Sequence, residues 1–124
     1  MKIRIYYEDT DAGGVVYHSN YLKFCERARS EILFAKKADV FDAFKGHFLL
    51  TKADCNFIKP AKLGDIIEVK TKILEIKHTF LEILQTIYKD EILLFRMKLT
   101  LAYIKNNKVS RMHTHLKKLF EELF

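Results

Sequence analysis

Apolar and polar residues alternate over most of the second half of the chain. From Ile66 to Ile76, Ile67, Val69, Thr71 and Ile73 oppose Glu68, Lys70 and Lys72, which is the period of a half-buried strand. Positions 80–88 and 92–104 continue the pattern, the second with Leu93, Phe95, Met97, Leu99 and Leu101 on one face. Positions 48–57 and 2–7 predict two further strands. The joints are short, Lys77-His78 and Lys89-Asp90-Glu91, so these strands are antiparallel neighbours. Asn106-Asn107 marks another turn. Pro60, the only proline, falls between strands, where it removes no ladder bond.

The period changes to that of a helix after Tyr21. Tyr21, Phe24, Cys25, Ala28, Ile32 and Ala35 form a helical stripe, and Leu22, Leu33 and Phe34 widen it, so the helix is expected to be wrapped on most sides. Some 17 residues at ~1.5 Å each span about 26 Å, the width of a five- or six-stranded sheet. A short helix is expected over 40–45, ending near Gly46. An amphipathic one is expected over 113–124, carrying Leu116, Leu119, Phe120 and Leu123. One long helix beside long antiparallel strands is an α+β layer pattern. The long helix is the only large apolar object available to cover the sheet, so the residue pattern reaches "helix on antiparallel sheet".

Composition narrows the class. The 124 residues suggest one domain, 1–124, small enough that oligomerisation would help bury apolar area. Apolar residues make up 49%, with ten Phe and six Tyr, which is a folding composition. The net charge of +6 suits an anionic partner or ordinary solubility. Cys25 and Cys55 are far apart and form no C-x-x-C pair, so buried reduced thiols are expected, with no disulfide framework and no zinc site. The first residues lack the apolar core of a signal peptide, and no run approaches the ~18 apolar residues that span a bilayer. The chain reads as cytoplasmic, without internal repeats.

Candidate chemistry concentrates between Tyr7 and Tyr21, in YEDTDAGGVVYHSNY. Asp9 and Asp11 would share a face in extended backbone. Gly13 and Gly14 permit a tight turn, and Ser19 or Asn20 can cap the helix. Together these supply a carboxylate and open backbone N–H groups at a helix start, which favour anions and polarise a carbonyl oxygen. The plain alternative is an acidic loop followed by an N-cap.

The spacing D-x-x-G-x-V-x-H-x-x-Y, here Asp11, Gly14, Val16, His18 and Tyr21, resembles the signature of the hot-dog-fold acyl-CoA thioesterases. It is similar to the 4-hydroxybenzoyl-CoA thioesterase branch, and within that to the acyl-CoA thioesterases associated with the Tol–Pal envelope system. The run FIKPAKLGD from Phe57 to Asp65 resembles that family's strand–turn–strand segment. The resemblance implies a hot-dog fold, an antiparallel sheet of five or six strands wrapped around one long central helix. It also implies hydrolysis of acyl-CoA, or of an acyl carrier protein thioester, to free acid and thiol. Asp11 would act as general base or nucleophile, with backbone N–H groups near His18 polarising the carbonyl. The His18 side chain would orient water, shuttle a proton or contact substrate, its alternative being a structural role. Tyr7 would line the acyl pocket or meet the carboxylate, its alternative being core packing. Asp9 is a turn or capping acid, and Glu8 is solvated. Gly14 and Val15 would border the substrate. Lys59, Lys62, Lys108 and Arg111 would meet the phosphates of coenzyme A, and Thr79 would place a hydroxyl near the reaction centre. No cofactor and no metal are implied. The expected assembly is a homodimer, with the acyl site at the interface, pairing into a tetramer. A peripheral link to envelope or phospholipid metabolism follows from the branch, and nucleic acid is not an expected partner. A dehydratase or isomerase on acyl thioesters, relying on His18, and a non-catalytic acyl- or nucleic-acid-binding module are the alternatives.

Overall fold

The computed structural model describes residues 1–36 and 44–124. Strands β1 (Lys2–Arg4), β2 (His47–Phe57), β3 (Ile66–Ile76), β4 (Phe80–Lys89), β5 (Ile92–Lys105) and β6 (Lys108–Val109) form one sheet, with helices α1 (His18–Phe34) and α2 (Thr114–Leu123). Strand order is β1-β3-β4-β5-β2, with β6 on β5, and all the pairings are antiparallel. The predicted β3 matches its span, and β2, β4 and β5 extend the predicted ranges by one residue each. Asn106 and Asn107, at φ 53° and 61°, make the two-residue left-handed turn that folds β6 back onto β5. Asparagine tolerates this region better than other side chains, and the turn's twist matches that of its strands.

The strand period sets the core. Leu81, Ile83, Gln85 and Ile87 of β4 all point inward and are buried, as are Phe95, Met97 and Leu99 of β5. Tyr21, Phe24, Cys25 and Ala28 of α1 join the same cluster, and burying an apolar side chain of this size contributes about 1.5–3 kcal/mol. Gln85 is the polar exception. Its amide nitrogen donates to Cys25 O (2.9 Å) and Thr71 Oγ1 (3.0 Å), and its oxygen accepts from Arg29 Nη1 (2.7 Å). This fastens the middle of α1 to β3 and β4, and a buried amide is tolerated only when bonded in this way.

Several expectations change. The fully buried stripe of α1 stops at Ala28, Leu22 and Leu33 are half-buried against the core, and Phe34 is exposed, so the helix is less covered over its last turns than expected. It is also not the only apolar object: α2 inserts Leu116, Leu119 and Phe120 into the core, where Phe120 meets the edge of Phe48 at 5.2 Å. The first strand ends at Arg4: Ile5 N still donates to Asp65 O in register, but the Asp65 amide turns to Lys62 O and Ile5 O takes the Gly64 amide instead. The expected 40–45 helix falls mainly on residues 37–43, outside those described. Cys25 is buried as expected, Cys55 is only half-buried, and both are free.

Candidate active site

The loop from Tyr7 to Tyr17 is a compact double turn. Tyr7–Asp9 is a single 3-10 turn, closed by the Asp9 carboxylate accepting the Tyr6 amide at 2.8 Å. The chain here is therefore not extended, and Asp9 and Asp11 do not share a face; Asp9 is the turn acid. A hairpin follows, with Asp11 N donating to Val15 O and Gly14 N to Asp11 O. Gly14 lies at φ +78°, a region costly for any residue with a Cβ. Asp11 stands exposed on this hairpin, its Oδ1 accepting the Gly13 amide at 2.8 Å.

Three contacts hold the hairpin to the turn after β2. Val16 N donates to Ala61 O (2.9 Å), Val15 bridges to Lys62, and the Ala61 amide donates to the Tyr21 hydroxyl (3.0 Å). The loop, the first turn of α1 and the Pro60 turn thus form one unit. The Lys62 amide is taken by the Asp65 carboxylate, which also pairs with Lys89 at 2.9 Å.

α1 starts at His18, after Tyr17, and no side chain caps it. Neither Ser19 nor Asn20 does so as expected: Asn20 instead donates its side-chain amide to Asp9 O, 2.9 Å away, tying the helix to the acidic turn. The amides of His18 and Ser19 consequently have no acceptor among the described residues. They lie at the positive end of a 17-residue helix, where an oxygen gaining negative charge is stabilised.

A cleft of about 220 Å³ opens at this helix end, lined by Val16, His18, Tyr21 and the run Phe57 to Pro60. The Phe57 ring meets both Tyr21 (5.7 Å) and Phe95 (5.1 Å), giving the cleft an apolar wall. Burial pushes the Tyr21 phenol up, against the pull of the Ala61 amide and with a further push from Asp65, so it stays protonated.

His18 and Lys59 are brought to this cleft, and Gly14, Val15 and Lys62 adjoin it through the stitched hairpin. Asp11 does not line it, because its carboxylate is turned onto Gly13. Tyr7 is 81% exposed, so neither core packing nor a place in the cleft holds within this chain. Thr79 and Arg111 lie at the other end of the sheet: Thr79 O accepts the Tyr103 amide, and Arg111 approaches His78. Lys108 is at the same end, paired with Lys105. The walls supplied by Phe57 and Ile58 were not foreseen, although both sit in the FIKPAKLGD run that signalled the turn. Among the described residues no cluster of three His, Cys, Asp or Glu side chains could hold a metal ion, and no helix is long and apolar enough to cross a membrane.

Comparison with known proteins agrees with this layout. Residues 13–95 match the model of the thioesterase superfamily. An acyl-CoA thioesterase YbgC from Helicobacter pylori is 47% identical over 88 residues, 71% of this chain and 65% of that protein. The match therefore spans a little under two thirds of the relative's own length. Among solved structures, a probable thioesterase from Bartonella henselae superposes with TM-score 0.78 at 32% identity, covering 91% of this chain and 95% of that one. A hypothetical protein from Aquifex aeolicus superposes with TM-score 0.87 at 26% identity, over 100% and 98% of the two chains. The sheet with its long helix is the hot-dog arrangement, and the chain belongs to the thioesterase superfamily.

Proposed function

We propose that the chain is an acyl-CoA thioesterase, hydrolysing an acyl thioester of coenzyme A or acyl carrier protein to free acid and thiol. The observation that carries this is the pair of open amides, His18 and Ser19, at an uncapped helix start beside an apolar cleft. The thioester oxygen takes those amides, and the acyl group lies against Phe57 and Tyr21. Asp11 supplies the carboxylate. As base, it takes a proton from water while the water oxygen bonds to the acyl carbon. As nucleophile, it forms an acyl–carboxylate anhydride that water then opens. In both cases the carbon–sulfur bond breaks and the thiolate leaves with a proton. Single turnover in ¹⁸O-water separates the two routes: the base route puts ¹⁸O in the released acid, whereas an anhydride opened by water at the Asp11 carboxyl carbon puts it in the Asp11 side chain.

Asp11→Ala is expected to keep its fold and lose more than about a hundredfold in turnover, the scale of a lost base or nucleophile. One observation favours a second reading, a dehydratase or isomerase on acyl thioesters: His18 lines the cleft and Asp11 does not. Near-normal hydrolysis in Asp11→Ala, with His18→Ala inactive, would establish that reading instead.

The assembly we propose is a homodimer through β2, pairing further into a tetramer. β2 is hydrogen-bonded on one side only, and it exposes Leu49, Leu50 and Phe57 along 11 residues, an edge that needs covering. Antiparallel pairing of two such edges would set the Thr79, Lys108 and Arg111 end of one protomer beside the cleft of its partner. There these residues, with Lys59 and Lys62, would meet the phosphates of coenzyme A. Tyr7 would find its partner at the same contact. A cytoplasmic setting, with a peripheral link to envelope or phospholipid metabolism, completes this reading.

A further inference from the structure

A second cavity, of about 380 Å³, lies along the C-terminal half of α1, away from the His18 cleft. Most of its wall is apolar, including Leu33, Phe44, Phe48, Ile83 and Phe120. Arg29, half-buried on α1, faces into it, with His47 the other basic side chain among the described residues of its wall. A guanidinium has five N–H donors. Here one of them, on Nη1, is used by Gln85 Oε1, and among the described residues no carboxylate lies within ion-pair distance of Arg29. Burial pulls the guanidinium below its ordinary value, with Cys25 and Glu26 pulling the other way. Glu26 stands exposed at the cavity's edge, its carboxylate accepting from Ser30 Oγ at 2.9 Å. A desolvated cation whose nearest described carboxylate, Glu26, is exposed and beyond ion-pair distance is costly, and an apolar wall around it suits an anion that carries hydrocarbon.

We propose that this cavity binds a free medium-chain carboxylate, its head on Arg29 and its alkyl chain against the phenylalanine wall. Ligand sites have this composition, an apolar lining with a few placed polar groups. The inference does not rest on the thioesterase reading, since the site needs no turnover to fill. If that reading holds, the ligand is of the same class as the released acid.

The test is calorimetric titration of the full chain with decanoate and, separately, decanol. Decanoate should bind saturably and decanol at least about tenfold more weakly, the scale of one charge-assisted hydrogen bond. Arg29→Gln should abolish that preference, and Arg29→Lys should restore part of it. Leu33→Trp, which fills the cavity without touching the His18 cleft, should weaken decanoate binding by a similar factor. It decides the matter even if the Arg29 variants fail to fold. Equal affinity for decanoate and decanol, no saturable binding, or full decanoate binding by Leu33→Trp would overturn the proposal. Decanoate held only in the His18 cleft would appear as binding indifferent to both Arg29 and Leu33, and so counts against it too.

Discussion

The Tyr21 hydroxyl accepts the amide proton of Ala61 at 3.0 Å, across 40 residues of chain. Tyr21 belongs to the first turns of α1 and Ala61 to the turn after β2, and both are buried. This one bond joins the helix end that carries the open amides to the segment that walls the cleft. Tyr21→Phe keeps the ring packing on Phe95 (5.1 Å) and leaves the Ala61 amide unpaired. A buried donor left without a partner costs about 1–3 kcal/mol. Urea denaturation should register that loss, with a fall in thioester turnover as the cleft loosens. Unchanged stability would mean that water replaces the phenol.

Two glycines should lose stability on change to alanine to different extents and for different reasons. A Cβ on Gly46 would lie 2.4 Å from the backbone oxygen of Ile104, and backbone cannot give way as a side chain tip can. Gly46→Ala should destabilise by several kcal/mol, the range of a forced core clash. At Gly14 nothing lies within 4 Å of the added atom, but φ is +78°, so Gly14→Ala should cost about 1–2 kcal/mol from backbone strain alone. Thermal melts of the two variants side by side check the contrast.

Asp65 gives the chain an acid-side weakness. Burial alone would raise its pKa, but the Lys89 ammonium and the Lys62 amide and charge outweigh burial and hold the carboxyl below its ordinary value. A carboxyl held down in the folded chain adds stability above its unfolded pKa of about 3.9, and that stability is lost as pH falls through the folded value. Asp65→Asn should therefore be less stable at neutral pH and show a shallower loss of stability on acidification below about pH 4. Because Lys89 is largely solvated, the neutral-pH difference should shrink with added salt. Parallel acid titrations followed by circular dichroism test the slope.

Leu49 is 53% exposed on β2. Leu49→Lys should leave the fold intact and shift the assembly towards monomer in analytical ultracentrifugation, because a charge on an open edge opposes pairing. If the proposed dimer forms through β2, turnover should fall with it. An assembly unaffected by this change would remove β2 as the contact.

The strands were legible because their information is local: β3 shows its alternation in every pair of residues. The two-residue Asn turn was legible for the same reason. The helix start was not. The apolar stripe begins at Tyr21, and the exposed first turn, His18 to Asn20, contributes nothing to periodicity. Asn20 is a good capping residue by type, but the helix begins two residues before it, so Asn20 lies inside the first turn and its side-chain NH2 donates to Asp9 O instead. The exposure of Tyr7 was not legible because a tyrosine between Tyr6 and Glu8 carries no periodicity that separates a buried place from an open one. The motif spacing brought His18 to the right helix end. It could not show that Asp11 turns onto Gly13, since that depends on hairpin geometry set by Ala61, 50 residues away.

Gln85 has one further consequence. Gripping α1 at its waist, through Cys25 O and Arg29, it stops the helix from sliding along the sheet or rolling on it. The position of the two open amides is thus set in part from β4, which does not line the His18 cleft. Loss of that grip would detune the helix end without a change to any side chain that lines the cleft.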